Sequence, residues 1–329
     1  MANRYNARIV GTGMAVPKRV LTNAELEKMM DTSDEWITAR SGIKERRIAD
    51  ENTAASDLAL EASLKAMEEA KLKPEDLDLI IVGTVTPDFT LPSTACILQD
   101  RLGNKTAGVM DVVAACSGFI YGLSVAKAFV NIGQFKNVLV IGVEILSKFT
   151  NWDDRNTCVL FGDGAGAAIV QASEEEGGII STYISGDGSL ANLLHAPIGG
   201  TRTRLTKENF DLKQHNIIMA GSEVFKSAVR AMGDSAVKVI EQSGLKPEDI
   251  DLLIPHQANI RIIEATARRL KMPMDKVYVN IDKYGNTSSA SVPIALDEAR
   301  RKGKIKKGDK TVLVAFGGGF TWGAALIQW

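Results

Sequence analysis

The sequence predicts an α/β protein built from two similar halves, and three observations carry that expectation. A ten-residue stretch recurs, LKPEDLDLII at 72–81 and LKPEDIDLLI at 245–254, an offset of 173 residues. Further matches follow in the same order. Val138-Leu139-Val140 aligns with Val312-Leu313-Val314 at an offset of 174, and GAAIV at 166–170 with GAALI at 323–327 at 157. The runs LIIVGTV (79–85), VLVIGV (138–143) and KTVLVAF (310–316) are apolar on both faces, as strands covered by helices are.

Each repeat begins with a helical pattern, 55–70 in the first half and 223–243 in the second. The second places Phe225, Ala228, Val229, Met232, Ala236, Val239 and Ile240 on one face, and Gly244 is suited to end it. A chance recurrence of the Pro-Glu-Asp helix start would explain one match, but not three collinear ones. The drop in offset places 16 or 17 extra residues in the first half, within about 144–162. The halves are read as 1–173 and 174–329, packed into one globule with equivalent loops brought together.

Composition bounds the function. Hydrophobic residues make up 45% of the 329 positions and charged residues 24%, which excludes a disordered chain. A net charge of -1 gives no reason to expect bulk nucleic-acid binding. Three cysteines, Cys96, Cys116 and Cys158, form neither a disulfide framework nor a pattern with metal spacing. The first residues lack an apolar signal core, and no run approaches a membrane span. A reducing, cytoplasmic setting is expected.

Three residues at strand–helix junctions carry the candidate chemistry. Cys116 sits between a strand at 107–113 and a helix pattern from Gly118 to Phe129. A helix N-terminus favours the thiolate and is expected to lower its pKa. For an arbitrary cysteine a small buried hydrophobe is the commoner reading, and Cys96 and Cys158 fit it. His256 ends the second repeat's strand and precedes a helix, whereas His195 and His215 fall in a polar, Gly-rich stretch and read as loop residues. Asn286 lies between a strand at 276–281 and a helix at 288–302, opposite the Cys116 junction when the halves are superposed. A plain turn or N-cap is the competing account of it. Gly317-Gly318-Gly319 directly follow a strand and let the backbone approach a ligand, but no GKS or GKT makes them a P-loop. Gly162-Asp163-Gly164 precedes a strand and so is not a dinucleotide fingerprint.

With these residues the sequence resembles the thiolase-superfamily condensing enzymes, and within them the β-ketoacyl-[acyl-carrier-protein] synthase III family. The resemblance rests on ACSGF (115–119), PHQAN (255–259), GNTS (285–288), GDGAGA (162–167), FGGGFTWGAAL (316–326), TSDEWI (32–37) and RSGIKERR (40–47), and runs end to end. It implies a duplicated thiolase-like fold in α-β-α-β-α layers, each half a mixed sheet covered by helices. It implies that Cys116 is acylated by an acyl-CoA primer, acetyl-CoA first, and that malonyl-ACP then loses carbon dioxide and condenses to 3-oxoacyl-ACP, starting fatty-acid synthesis. The Cys116, His256 and Asn286 set separates this family from thiolases, which use a second cysteine.

The same resemblance implies an oxyanion hole from the N–H groups of Cys116 and Gly318. It places Trp36, Arg40, Arg155 and Asn259 against CoA, and Lys226 and Arg261 against the carrier protein. Arg268, Arg269 and Lys271 add charge near Arg261. Leu91, with Phe89 two residues before it, falls in the family's acyl-pocket loop, which can reach the partner subunit's active site and where many members carry Phe; the smaller leucine leaves room for a longer or branched primer, unless Phe89 or a neighbour refills the space and acetyl-CoA stays best. A homodimer and no metal or redox cofactor are also implied. Two other readings stand beside it: a specialised condensing enzyme of polyketide, quinolone or branched-acid biosynthesis, and a non-catalytic CoA- or carrier-binding homologue.

Overall fold

A computed structural model describes residues 4–329; residues 1–3, the start of the stretch read for a signal core, lie outside the described residues. The chain enters on β1 (Asn6–Ala15). A small hairpin follows, β2 (Arg19–Thr22), α1 (Asn23–Leu26), α2 (Asp34–Ser41) and β3 (Glu45–Ile48). Next come α3 (Ala55–Ala70), β4 (Leu79–Gly83), α4 (Thr94–Leu102), β5 (Gly108–Val112), α5 (Gly118–Asn131), β6 (Asn137–Glu144) and β7 (Gly164–Ser173). The chain continues through β8 (Gly178–Gly186), β9 (Leu194–His195), α6 (Lys207–Phe210), β10 (Ile218–Met219) and α7 (Gly221–Glu241). It closes with β11 (Leu252–Pro255), α8 (Ile260–Arg269), α9 (Ile281–Tyr284), α10 (Ser291–Arg301), β12 (Lys310–Gly317) and β13 (Thr321–Gln328).

Two mixed sheets share one plan. The first runs β1-β7-β6-β4-β5, with β6, β4 and β5 parallel and β7 and β1 antiparallel to their neighbours. The second runs β8-β13-β12-β11 in the same sense. The expected strand at 276–281 is reduced to a single bridge from Val277 to Leu253, the place β5 holds in the first sheet. Pro273 and a 3-10 turn at Met274–Lys276 shorten the run that leads to it.

The layering follows from which faces are apolar. Ala59, Ala62 and Leu98 of α3 and α4 pack on one face of the first sheet. Val239, Ile240 and Ile263 of α7 and α8 cover the outer face of the second. Between the sheets lie α5 and α10, whose Phe119, Leu123, Val292 and Leu296 meet Val140 and Leu313 from either side. The order is α-β-α-β-α, and strands of both sheets are buried on both faces, as their unbroken apolar runs require. No helix among the described residues is long and apolar enough to cross a membrane.

The two halves differ most between β6 and β7. Residues 145–163 join those strands, whereas residues 318–320 join β12 and β13. Asp163 of the GDGAGA segment anchors the long connection: its carboxylate accepts the Ala49 N–H (2.7 Å), the Ser147 N–H (2.9 Å) and the Ser147 hydroxyl (2.6 Å). Arg46 fastens it from the hairpin side. Fully buried, it donates to the carbonyls of Leu21 and Val159 and to Asn23 Oδ1.

Candidate active site

Cys116 occupies a 3-10 turn, Ala115–Ser117, wedged between β5 and α5. Ala115 before it holds a left-handed φ of 45°, a conformation costing roughly 1–3 kcal/mol outside glycine. His256 follows β11, with its backbone N–H on the Val314 carbonyl (2.7 Å). Asn286 follows α9, its backbone paired with Leu160 and Gly162 of the long connection. All three line one cavity of about 120 Å³, whose walls include Phe316, Gly317 and the N-terminal ends of α7 and α8. A wider apolar cavity of about 390 Å³ also opens on Cys116, between Val85, Leu146, Phe149 and Ile217.

The electrostatics correct one expectation. Burial pushes the Cys116 thiol up to about 12, opposed by a hydrogen bond from Ser288 and by its own backbone N–H, and reinforced by the charge of Glu144. The helix start does not yield a resting thiolate here, because the thiol is almost wholly desolvated. Burial also lowers His256 to about 3, so its imidazole is neutral. His256 Nδ1 lies 2.5 Å from Ser291 Oγ, and that oxygen also accepts the Gln257 N–H at 3.3 Å. With Ser291 as the donor to Nδ1, the ring proton sits on Nε2.

Asn286 Oδ1 accepts the Ser288 N–H at 2.9 Å, and its Nδ2 donors find no protein partner among the described residues. The N–H of Gly318 likewise finds no acceptor among the described residues, and that of Cys116 meets only its own sulfur. Gly317, rather than Gly318, is the residue pressed against the nucleophile: a Cβ there would lie 2.5 Å from Cys116 N. The site therefore offers two sets of unengaged donors, one beside the sulfur and one on His256 and Asn286, each suited to an oxyanion.

Trp36, Arg40 and Arg155 come together as expected. The two guanidinium carbons lie 4.6 and 4.7 Å from the Trp36 ring centroid. A base stacked between Trp36 and Arg155 requires Arg155 to swing away from its bond to the Asp31 carbonyl (2.6 Å). Asn259 also has a structural part. It lines the Cys116 cavity, but its Oδ1 caps α8 through the Arg261 N–H (2.9 Å) and its Nδ2 binds the Arg40 carbonyl (2.8 Å), so its side chain is already engaged. Arg261 lies over Phe225, 5.2 Å from the ring, which puts it beside the cavity that Phe225 lines; Lys226 follows Phe225 in α7 and pairs with Glu223 (2.9 Å).

Leu91 and Phe89 stand away from the Cys116 cavities of their own chain. They are 86% and 61% exposed and line neither cavity, because the β4–α4 connection that carries them runs outward. The walls beside Cys116 come from the start of that connection (Val85 and Thr86), from the long β6–β7 connection, from β9 and from Ile217 just before β10. His195, read as a loop residue, sits in β9 on the wall of the wider cavity. His215 stacks on Phe210 at 5.1 Å.

Glu144 and Ser291 escaped the sequence reading. Glu144 ends the apolar run VLVIGVE, and a carboxylate closing a buried strand was the signal available. It is fully buried and accepts bonds from Thr86 (2.7 Å), Val85 N–H (3.1 Å), Ser288 (3.1 Å) and Ser289 (3.1 Å). Ser291 gave no signal beyond its place at a helix start.

Known proteins are similar to this chain along its length. The family described as 3-oxoacyl-[acyl-carrier-protein] synthase III matches residues 110–188, and its C-terminal counterpart matches residues 240–329. A β-ketoacyl-[acyl-carrier-protein] synthase III of Caldanaerobacter subterraneus is 59% identical over 329 residues, covering 100% of this chain and 99% of the relative. One from Clostridioides difficile is 57% identical, with 98% of each chain covered. The crystal structure of 3-oxoacyl-[acyl-carrier-protein] synthase III from Aquifex aeolicus superposes with a TM-score of 0.92 at 52% identity, over 98% of this chain and 100% of that one. With identity of this level running the full length of both chains, this protein belongs to the β-ketoacyl-[acyl-carrier-protein] synthase III family.

Proposed function

We propose that this chain condenses an acyl-CoA primer with malonyl-ACP, releasing carbon dioxide and giving the 3-oxoacyl-ACP that begins fatty-acid synthesis. One observation carries the reading: Cys116, His256 and Asn286, from different halves, line a single cavity in a member of this family.

Cys116 attacks the primer thioester, and the tetrahedral oxygen rests on the N–H groups of Cys116 and Gly318. CoA leaves. The malonyl thioester carbonyl then meets His256 Nε2–H and Asn286 Nδ2, which take up charge as carbon dioxide departs. The enolate carbon attacks the acyl-cysteine, and ketoacyl-ACP forms. Decarboxylation itself supplies the carbanion, so this route calls on no metal or redox cofactor. The nucleotide end of CoA lies by Trp36, Arg40 and Arg155; the acidic carrier docks on Lys226 and Arg261.

We read the working form as a cytoplasmic homodimer. Phe89, Leu91 and Val113 are exposed apolar residues, Val113 at the rim of the wider cavity, and a second copy suits them. The test is direct. Incubation with acetyl-CoA adds one acetyl group by mass, and subsequent malonyl-ACP removes it as acetoacetyl-ACP. An enzyme that takes no acyl group from any of several acyl-CoAs refutes the reading and favours a binding-only homologue.

A further inference from the structure

The reaction above needs an acceptor for the Cys116 proton. His256 is poorly placed for that role. Its Nδ1 is held by Ser291, its Nε2 carries the proton that the malonyl carbonyl needs, and burial keeps the ring a weak base. A buried carboxylate lies on the other side of the sulfur. Ser288 lines the wider cavity together with Cys116 and donates to Glu144 Oε1 at 3.1 Å. Its hydroxyl therefore links the cavity that holds the thiol to the buried carboxylate.

Glu144 is surrounded by hydroxyls and one amide, from Thr84, Val85, Thr86, Ser288 and Ser289, and forms no ion pair among the described residues. No cation therefore locks it as a permanent anion. Ser288 is held for the task by a left-handed φ of 47° and by its N–H on Asn286.

We propose that Glu144, acting through Ser288, receives the Cys116 proton during acylation. As sulfur bonds to the thioester carbon, the thiol proton passes to Ser288 Oγ and the Ser288 proton passes to Glu144. The carbonyl electron pair moves to the oxygen held by the N–H groups of Cys116 and Gly318. On collapse the bond from carbon to the CoA sulfur breaks, that sulfur takes the electron pair, and the proton returns through Ser288 to give CoA thiol and the Glu144 carboxylate. In this step Ser288 is the group that meets the reacting sulfur, and Glu144 acts only through it.

Burial raises Glu144 to about 7, opposed by its hydrogen bonds, which suits an acceptor that must also give the proton back near neutrality. The titratable groups facing the pair are Cys116, His256 across the smaller cavity and His195 across the larger. A carboxylate acceptor makes acylation climb with pH through about 7 and then level, since the ionised form is the active one.

The inference rests on the condensing-enzyme reading, and one experiment separates the two. The acylation rate with acetyl-CoA is measured by rapid quench and mass spectrometry from about pH 5 to about pH 9, alongside malonyl-ACP decarboxylation. In Glu144→Gln the climb near pH 7 disappears and the plateau falls at least about tenfold, while decarboxylation falls less. Ser288→Ala, which keeps the carboxylate and the backbone bond to Asn286, shows the same loss and covers the case where Glu144→Gln does not fold. His195→Gln keeps the climb. A wild type that never acylates refutes the enzyme reading. A wild type that acylates, beside Glu144→Gln or Ser288→Ala with an unchanged rate and pH profile, overturns the relay alone. So does loss of the climb in His195→Gln.

Discussion

The join before α5 and the join before α10 are the same backbone used twice. Cys116 and Ser289 stand 173 residues apart, each in a 3-10 turn whose preceding residue, Ala115 or Ser288, has a left-handed φ of 45° or 47°. Each turn meets the strand end of the opposite half. Gly317 closes on Cys116, and Glu144, again 173 residues earlier, closes on Ser288 and Ser289. At one join the strand ends in a residue with no side chain, leaving room beside a sulfur. At the other it ends in a carboxylate that fills the room with hydrogen bonds. A duplicated frame has thus been divided into a reacting side and a supporting side by a handful of substitutions.

The largest expected effect tests that division directly. Cys116→Ala removes the nucleophile and abolishes condensation, a loss of roughly 10⁴-fold or more. Ser289→Ala, at the equivalent position, loses bonds to the Gly83 carbonyl (2.7 Å) and Glu144, costs about 1–2 kcal/mol in denaturant unfolding, and keeps acylation within about tenfold. Peptide mapping after acetyl-CoA treatment finds the acetyl group on Cys116; label on Cys158 or Cys96 contradicts the assignment. Cys158 is an apt control, being fully buried against Met30.

Gly317→Ala comes next. Its Cβ would sit 2.5 Å from Cys116 N and 3.0 Å from Ala115 Cβ, so the nucleophile turn must shift. Displacement on an ångström scale costs about a hundredfold in acylation, with global unfolding far less affected. A fully active alanine variant would mean that the turn has slack the geometry does not show.

His256→Ala and Asn286→Ala remove donors from the other oxyanion site. Each lost donor is worth roughly 3 kcal/mol, or about a hundredfold, in malonyl-ACP decarboxylation. Acylation by acetyl-CoA falls less, because neither donor touches the primer carbonyl in the proposed sequence. Normal decarboxylation by Asn286→Ala would remove that residue from the mechanism.

What the sequence revealed follows the same asymmetry. The repeat and the apolar runs were enough for two like halves, because strands buried on both faces leave an unmistakable pattern. Cys116, His256 and Asn286 were legible because each ends a strand or turn and is chemically conspicuous. Glu144 and Ser291 were not, since their roles come from contacts across the two halves. Glu144 meets Ser288 144 residues away, and nothing local marks that pairing. Asn259 is harder to read, because an N-cap and a ligand contact use the same residue type at the same kind of junction. The strand at 276–281 misled because Pro273 and the turn after it leave only one bridge.

A smaller effect is expected at the rim. Arg261→Glu reverses a charge beside the cavity mouth and raises the KM for malonyl-ACP by about tenfold, against about threefold or less for acetyl-CoA. Added salt reproduces the difference in the wild type, since exposed charges are screened. Equal changes for both substrates would place Arg261 on the CoA phosphates instead.

The smallest effect belongs to Leu91. Its resemblance to a pocket position predicted control of primer length, yet the side chain is 86% exposed and off both cavities of its own chain. Phe149 and Ile217 stand on the wall that an acyl chain on Cys116 would meet. A methylene in an apolar pocket is worth only about 1–3 kcal/mol even when fully enclosed, and an exposed side chain delivers a fraction of that. Leu91→Phe therefore shifts the kcat/KM ranking of acetyl-, butyryl-, isobutyryl- and octanoyl-CoA by about threefold or less, whereas Phe149→Ala shifts it toward the longer primers by more. A change above about tenfold in Leu91→Phe has one structural meaning: the β4–α4 connection reaches the active site of a second copy, and the wall of the pocket is completed only in the dimer.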